Sequence, residues 1–221
     1  MKIFATSDIH GNKIIFDKIK SVTSHADAFL YCGDLGGYGR DSRGIAGITS
    51  SQERDAAYFY GILDTLGVES HFILGNDDWF ESSDPRHLAT SKTLGKYKLF
   101  PFEFVSITPF TTNREANDNK IEYELSKLNA DRDSIILAHT PPFDVGDRLL
   151  NGQRCGSRAA HRWIEKVQPK LWLCGHIHEN NSTGYIGQTL VLNCACMSHE
   201  PVLKGWIIDT ETMELENVYI P

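Results

Sequence analysis

One unit recurs along the chain and limits what it can fold into: a short, unbroken apolar run that ends abruptly in a loop of Asp, His or Asn. Ile3-Phe4-Ala5-Thr6 leads into Asp8-Ile9-His10, and Asp27 to Tyr31 leads into Gly33-Asp34. Ser70 to Leu74 precedes Gly75-Asn76-Asp77-Asp78, Ser134 to Ala138 precedes His139, and Leu171 to Cys174 precedes Gly175-His176-Ile177-His178. Runs this short do not make helices, and they lack the polar alternation of a half-exposed strand. They read as strands buried on both faces, which requires helices packed against the sheet. Lys13 to Ser21, with Ile14, Ile15 and Ile19 on one side, supplies one such helix. Ser51 to Leu66 supplies a second, with Ala56, Ala57, Phe59, Tyr60, Leu63 and Leu66 inward. Strand and helix in alternation imply parallel strands.

Further along, residues 79–101 show no clear period, Phe102 to Thr108 resumes strand character, and 121–130 reads as helix. Residues 140–156, carrying Pro141-Pro142, Gly146, Gly152 and Gly156, form a long loop of the kind that often serves function. Ser157 caps a helix that runs to Val167 and is closed by Pro169. The remainder is strand after strand (182–186, 189–194, 203–209, 214–220), which predicts antiparallel pairing at the C-terminal end. The expected class is α/β, an α+β sandwich of two packed mixed β-sheets flanked by helices. The 221 residues fit one domain, 1–221.

Several function classes are disfavoured. The formal net charge is −7 with no long Lys/Arg block, which weakens any reading as a nucleic-acid binder. No apolar stretch approaches the roughly 18 residues of a membrane span, and Asp8 interrupts the N-terminus too soon for a signal peptide. The five cysteines (Cys32, Cys155, Cys174, Cys194, Cys196) are odd in number and scattered, so a disulfide framework is not expected. A cytoplasmic protein working away from membranes is the consistent picture.

In open α/β sheets, ligand sites form beyond the carboxyl ends of the strands, so five loops spread along the chain can converge in space. Carboxylates, imidazoles and an amide oxygen suit borderline divalent metals, Mn, Fe, Zn or Co. Thiolates and an all-oxygen cage are both missing, which argues against structural zinc and against calcium. Taken singly, Asp-x-His, Gly-Asp and Gly-Asn-Asp-Asp are ordinary caps and turns. Gly175-His176-x-His178 is sharper, because alternate residues of extended chain point to one side. All five loops in order, each behind an apolar strand, point to one metal-dependent chemistry.

Asp8, His10, Gly33-Asp34, Gly75-Asn76, His139 and Gly175-His176-x-His178 together resemble the calcineurin-like metallophosphoesterases, over residues 6 to about 195. The resemblance implies a double β-sandwich and two divalent ions, Mn²⁺ first, with Fe, Zn, Co or Ni as alternatives. Asp8, His10 and His178 would hold one ion, Asn76, His139 and His176 the other, and Asp34 would bridge them. A cation pair about 3.5–4 Å apart grips a phosphate oxygen and activates a bridging hydroxide for in-line attack. The stretch from His139-Thr140-Pro141-Pro142 to Glu179 is similar to a narrower branch, the small phosphodiesterase-like (MPPED-type) proteins.

The pattern breaks at one place. Where the family commonly has His after Gly-Asn, this chain has Asp77. Beside cations a carboxylate stays ionised and makes a poor acid, so substrates with good leaving groups are favoured. The expected activity is phosphodiester hydrolysis with Asp34, Asn76 and Asp77 at the reacting centre. A phosphomonoesterase, a protein phosphatase and a non-catalytic metal-binding scaffold are the alternatives. Tyr38, Arg148 and His199 are candidate proton donors. Arg40, Arg148 and Arg154 are candidate phosphate contacts, since a guanidinium matches phosphate oxygens bidentately. Trp79 and Phe80 could stack on a substrate or simply pack.

Overall fold

A computed structural model describes residues 1–38, 44–197 and 199–221. The first stretch alternates strand and helix: β1 (Lys2–Thr6), α1 (Lys13–Thr23), β2 (Ala28–Tyr31), α2 (Ile45–Leu63) and β3 (Glu69–Phe72). Next come β4 (Lys92–Leu94), β5 (Tyr97–Phe102), the short β6 (Val105–Ser106) and β7 (Glu115–Ala116), α3 (Asp118–Ser126), β8 (Ser134–Ala138) and α4 (Arg158–Val167). The chain closes with β9 (Leu171–Cys174), β10 (Thr183–Ile186), β11 (Thr189–Asn193), β12 (Leu203–Asp209) and β13 (Leu215–Ile220).

Two large sheets result. One has the order β13-β12-β1-β2-β3, the other β10-β11-β9-β8-β5-β4. β1, β2 and β3 are parallel, as are β5, β8, β9 and β11. The unbroken apolar runs are explained by three cores. Ile3, Ala5, Leu30, Leu99, Ile135, Leu137, Leu171 and Leu173 meet between the sheets. Their strand neighbours point outward: Phe4, Phe29 and Phe72 pack under α1 and α2, while Ile136 and Trp172 pack under α3 and α4. Both faces of each central strand are therefore covered, the condition that removes polar alternation from the sequence.

The sandwich class stands, with local departures. α2 begins at Ile45, well before Ser51, and β4 and β5 occupy part of the stretch read as irregular. β4 is the edge strand of its sheet and β5 lies next to it, where partial exposure blurs the apolar pattern. The strand expected from Phe102 to Thr108 ends at Phe102, leaving only the two-residue β6. Ile14 is 59% exposed and Ala57 also faces out, because the buried stripes run through Ile15, Phe16 and Ile19 in α1 and through Ala56, Phe59 and Leu63 in α2. At the C-terminal end β10–β11 and β12–β13 are antiparallel, but β11 lies parallel to β9, and β12 returns to β1 in the other sheet.

Candidate metal centre and active site

The carboxyl ends of β1, β2, β3, β8 and β9 lie along one edge of the sandwich, so the five loops converge there. A bridge between Ser7 and Ala195 ties the two sheets at that edge, and Cys196 N donates to Ser7 O at 2.9 Å. The loop backbones are laced together: Asp8 N donates to Gly33 O, His10 N to Asp34 O and Gly11 N to Leu35 O. Asp8, His10, Asp34 and His176 all take positive φ, between 47° and 72°, a region that ordinarily costs side-chain-bearing residues. Four candidate ligands in that conformation at one edge mark a locally strained loop cluster held in place by its surroundings.

Two groups of donor atoms form. Asp8, His10, Asp34 and His178 gather in one, Asp34, His139 and His176 in the other, each with its ligand atoms within 4.8 Å of one another. Asp34 belongs to both. His178 Nε2 lies 3.1 Å from Asp8 Oδ1 and 3.2 Å from His10 Nε2. His139 Nε2 lies 3.2 Å from Asp34 Oδ2 and 3.1 Å from Asn76 Oδ1, which brings Asn76 to the second group. Each group draws side chains from both sheets.

Hydrogen bonds outside the cluster aim these side chains. Cys32 O accepts from His139 Nδ1 at 2.8 Å, which turns Nε2 inward. Both Asp8 oxygens accept from His176 N, and Asp34 Oδ1 accepts from Asp77 N. Asn76 Nδ2 donates to Thr112 Oγ1 at 2.9 Å, which fixes the amide with its oxygen toward His139. Thr112 is in turn held by Glu115 Oε1, 2.7 Å from its hydroxyl and 2.9 Å from its amide nitrogen.

The protein groups by themselves are electrostatically tense. Burial would lower His139, but the Asp34 and Asp8 carboxylates outweigh it and push the imidazole up to about 10. Burial holds His10 and His176 down at about 4. Burial opposes ionisation of Asp34 and Asp8 too, yet the neighbouring histidines keep both below the usual carboxylate range. Asp77 is pushed up to about 7 by burial and by Asp34, the direction opposite to what adjacent cations would impose.

These residues fit divalent metal. His10 and His178 face each other through their Nε2 atoms at 3.2 Å, two donor nitrogens converging beside the Asp8 carboxylate. Buried carboxylates and imidazoles in this density call for compensating positive charge, and oxygen and nitrogen donors without thiolate suit a borderline divalent metal.

The centre forms the floor of a cleft of about 740 Å³. Asp34, Asn76, Asp77 and Trp79 all line it. Tyr38 also lines it, stacked on His10 at 4.0 Å with its hydroxyl 2.9 Å from His10 Nε2. Phe80 instead packs in the core beneath α2. Arg148 is exposed and is not among the cleft-lining residues, nor is the exposed His199. Arg154 is committed to Asp144 and Asp147, at 2.9 and 2.7 Å, and braces the long loop. Arg40 lies outside the described residues.

Sequence reasoning missed the braces. The buried Asp78 carboxylate accepts from Leu35 N, Gly36 N and Gly75 N, tying the Asp34 loop to the Asn76 loop. Gln52, a lone polar residue on the buried face of α2, donates to Gly37 O and Asp77 O and accepts from Trp79 N. Asn193 Nδ2 holds Gly146 O, Gly175 O and Ile177 O. Glu103 accepts from Leu74 N, His87 and Arg114. Gln52 leaves a trace in the sequence, as a polar residue in register with Ala56, Phe59 and Leu63 on the buried face of α2, and Asn193 leaves one as the polar end of an apolar strand.

Known proteins agree with this architecture. A 67-residue segment is 40% identical to a UPF0046 protein of Caenorhabditis elegans, covering 30% of this chain and 17% of that protein's length. An uncharacterized protein of Methanocaldococcus jannaschii is 27% identical over 205 residues, 87% of each chain. The solved structure of TT1561 from Thermus thermophilus superposes with a TM-score of 0.71 at 18% identity, covering 100% of this chain and 99% of that one, which shows the shared fold. The family model described as calcineurin-like phosphoesterase matches residues 1–180, and with the Asp/His cluster at its strand ends the chain belongs to that family of metal-dependent phosphoesterases.

Proposed function

We propose that the protein is a phosphodiesterase, its whole chain (1–221) acting as one catalytic domain with two divalent cations. The carrying observation is the charge of the cleft. Among the described residues that line it there is no Lys or Arg, whereas Asp34, Asp77 and Glu179 are all present. A dianionic monoester would rely on the cations alone and meet Asp77 and Glu179 as like charges. A monoanionic diester suffers less from both effects.

Asp8, His10, His178 and the shared Asp34 would hold one ion, and His139, His176, Asn76 and Asp34 the other, with Mn²⁺ the best match to the donors. Such a pair supplies Lewis-acid polarisation of the phosphate and a water of lowered pKa. Cys32 O keeps the His139 ring oriented through Nδ1, and Thr112 keeps the Asn76 oxygen inward. Asp77, in the place of the family histidine, is the carboxylate closest in the chain to the Asn76 ligand. It gives the leaving alkoxide no strong acid, so good leaving groups depart most readily. The products are a phosphomonoester and an alcohol, water being consumed. Five free cysteines accord with a reducing, cytoplasmic setting.

The test is metal analysis of the purified protein, with rates on bis(p-nitrophenyl) phosphate and p-nitrophenyl phosphate in Mn²⁺. Two bound ions and faster diester cleavage are expected. Faster monoester cleavage would remove the diesterase reading, and no turnover at full metal loading would favour a binding scaffold.

A further inference from the structure

The cleft is larger and more apolar than a phosphate group needs. Beyond the metal floor its wall is the segment 106–112, and that wall presents Ile107, Pro109 and Phe110. Ile107 is 68% exposed and Phe110 80%, although both are large hydrophobic side chains. Trp79, Leu149 and Ile177 complete the apolar lining. Clustered exposed apolar side chains mark a binding surface more often than chance.

The wall is held firmly. Glu115 Oε1 accepts from the hydroxyls of Thr108 and Thr112 and from Thr112 N, at 2.5, 2.7 and 2.9 Å. β6 and β7 pair at the base of the segment, and Asn113 N donates to Asn76 O at 2.9 Å. The same segment therefore orients Asn76 and contributes Phe110 to the lining of the cleft. A preformed apolar wall binds without an ordering cost.

We propose that the segment 106–112 is the substrate-selecting wall of the site, and that it takes an aromatic ester group of the phosphodiester. Two features favour that occupant. The wall is continuous with the metal floor in one cleft of about 740 Å³, within the range of small-molecule sites and far beyond a methyl phosphate. Its lining includes three aromatic side chains, Tyr38, Trp79 and Phe110, suited to ring contacts. This inference rests on the diesterase reading for its chemistry, but the wall can be tested separately.

The experiment compares phenyl p-nitrophenyl phosphate with methyl p-nitrophenyl phosphate on the Mn²⁺-loaded protein. Both release p-nitrophenolate, so the ratio of kcat/KM reads the second ester group. Wild type should favour the phenyl ester by about 10-fold or more. Ile107→Ser and Phe110→Ser should bring the ratio close to one, whereas Tyr185→Ser, exposed on β10 outside the cleft, should keep it. In parallel, calorimetric binding of phenylphosphonate against methylphosphonate reads the wall without turnover and should show the same preference and the same loss. If the phosphonate preference appears but neither diester is cleaved, the diesterase reading falls and the wall stands. Cleavage with no preference, or a preference that survives both serine variants, overturns the wall. So does self-association that Phe110→Ser abolishes while the ratio stays unchanged, since the surface would then be a contact between copies.

Discussion

Gly75 offers a sharp test of the metal centre, because its backbone does not require glycine while its surroundings do. It is absent from the positive-φ residues, so alanine costs nothing in backbone conformation. A Cβ at that position, however, would collide with Asp34 Oδ1 and stand 2.5 Å from Asp34 N. Ordinary van der Waals contact begins near 3.4 Å, so the Asn76 loop and the Asp34 loop must separate by roughly 1 Å. Both loops carry candidate ligands, and Asp34 belongs to both donor groups. A misplacement of about 1 Å in such a constellation costs around 10²-fold in rate. Overpacking adds about 1–3 kcal/mol of destabilisation. Gly67→Ala is the matched control: it forces alanine into φ +71° but meets nothing within 4 Å. It should cost about 1 kcal/mol and leave metal binding intact. The assay is Mn²⁺ stoichiometry and affinity by calorimetry, with diester kcat and the urea midpoint measured on both variants. Gly75→Ala with wild-type metal affinity and rate would refute the close approach of the two loops as the device that spaces the cations.

Three further outcomes are expected. Asp77→His should raise rates selectively on diesters with poor, alkyl-type leaving groups, by up to about 10²-fold, and an equal effect on nitrophenyl esters would discard the missing-acid argument. Thr112→Val removes the acceptor of Asn76 Nδ2 and should lower kcat and Mn²⁺ affinity roughly 10-fold, with Thr112→Ser restoring both; unchanged kinetics in the valine variant would show that the amide needs no anchor. Burial alone would raise the Glu103 carboxyl, but hydrogen bonds from His87 and Leu74 N and the Arg114 charge hold it below its usual range. Its folded value lies below its unfolded one, so its stabilisation is present at neutral pH and is lost as pH falls through the folded value. Glu103→Gln should therefore cost roughly 1–3 kcal/mol at pH 7 and flatten the decline below about pH 4, and parallel urea-midpoint curves for the two proteins would contradict this.

The central strands were legible because burial on both faces leaves an unbroken apolar run, as in Ser134 to Ala138, and the loops that carry the candidate ligands were legible because they begin where such runs stop. β4 and β5 were not, since the edge strand Lys92-Thr93-Leu94 and Lys98 of its neighbour carry exposed polar side chains that mask the period. The ligand types could be listed from sequence, but not the braces. Asp78 looks like one more turn residue beside Asp77 until three amide donors from two loops are seen to meet its carboxylate. Glu115 and Thr112 lie far from any motif, and what matters in them is a hydrogen-bond chain to Asn76 that only folding creates. Arg148 shows the converse: proximity in sequence to the last histidine loop did not bring it to the cleft lining.

Asp8 and His10 follow a strand of one sheet while His178 follows a strand of the other, and Asp34 is likewise set against His139 and His176. Each cation would therefore act as a rivet driven through the seam of the sandwich. A change buried midway between the sheets, at Leu30 or Leu137 for example, would then alter the spacing of the rivet holes and register as a change in metal affinity, far from any ligand. Chelation, conversely, would loosen the whole seam, so the hydrophobic interior and the reacting centre would gain and lose their order together.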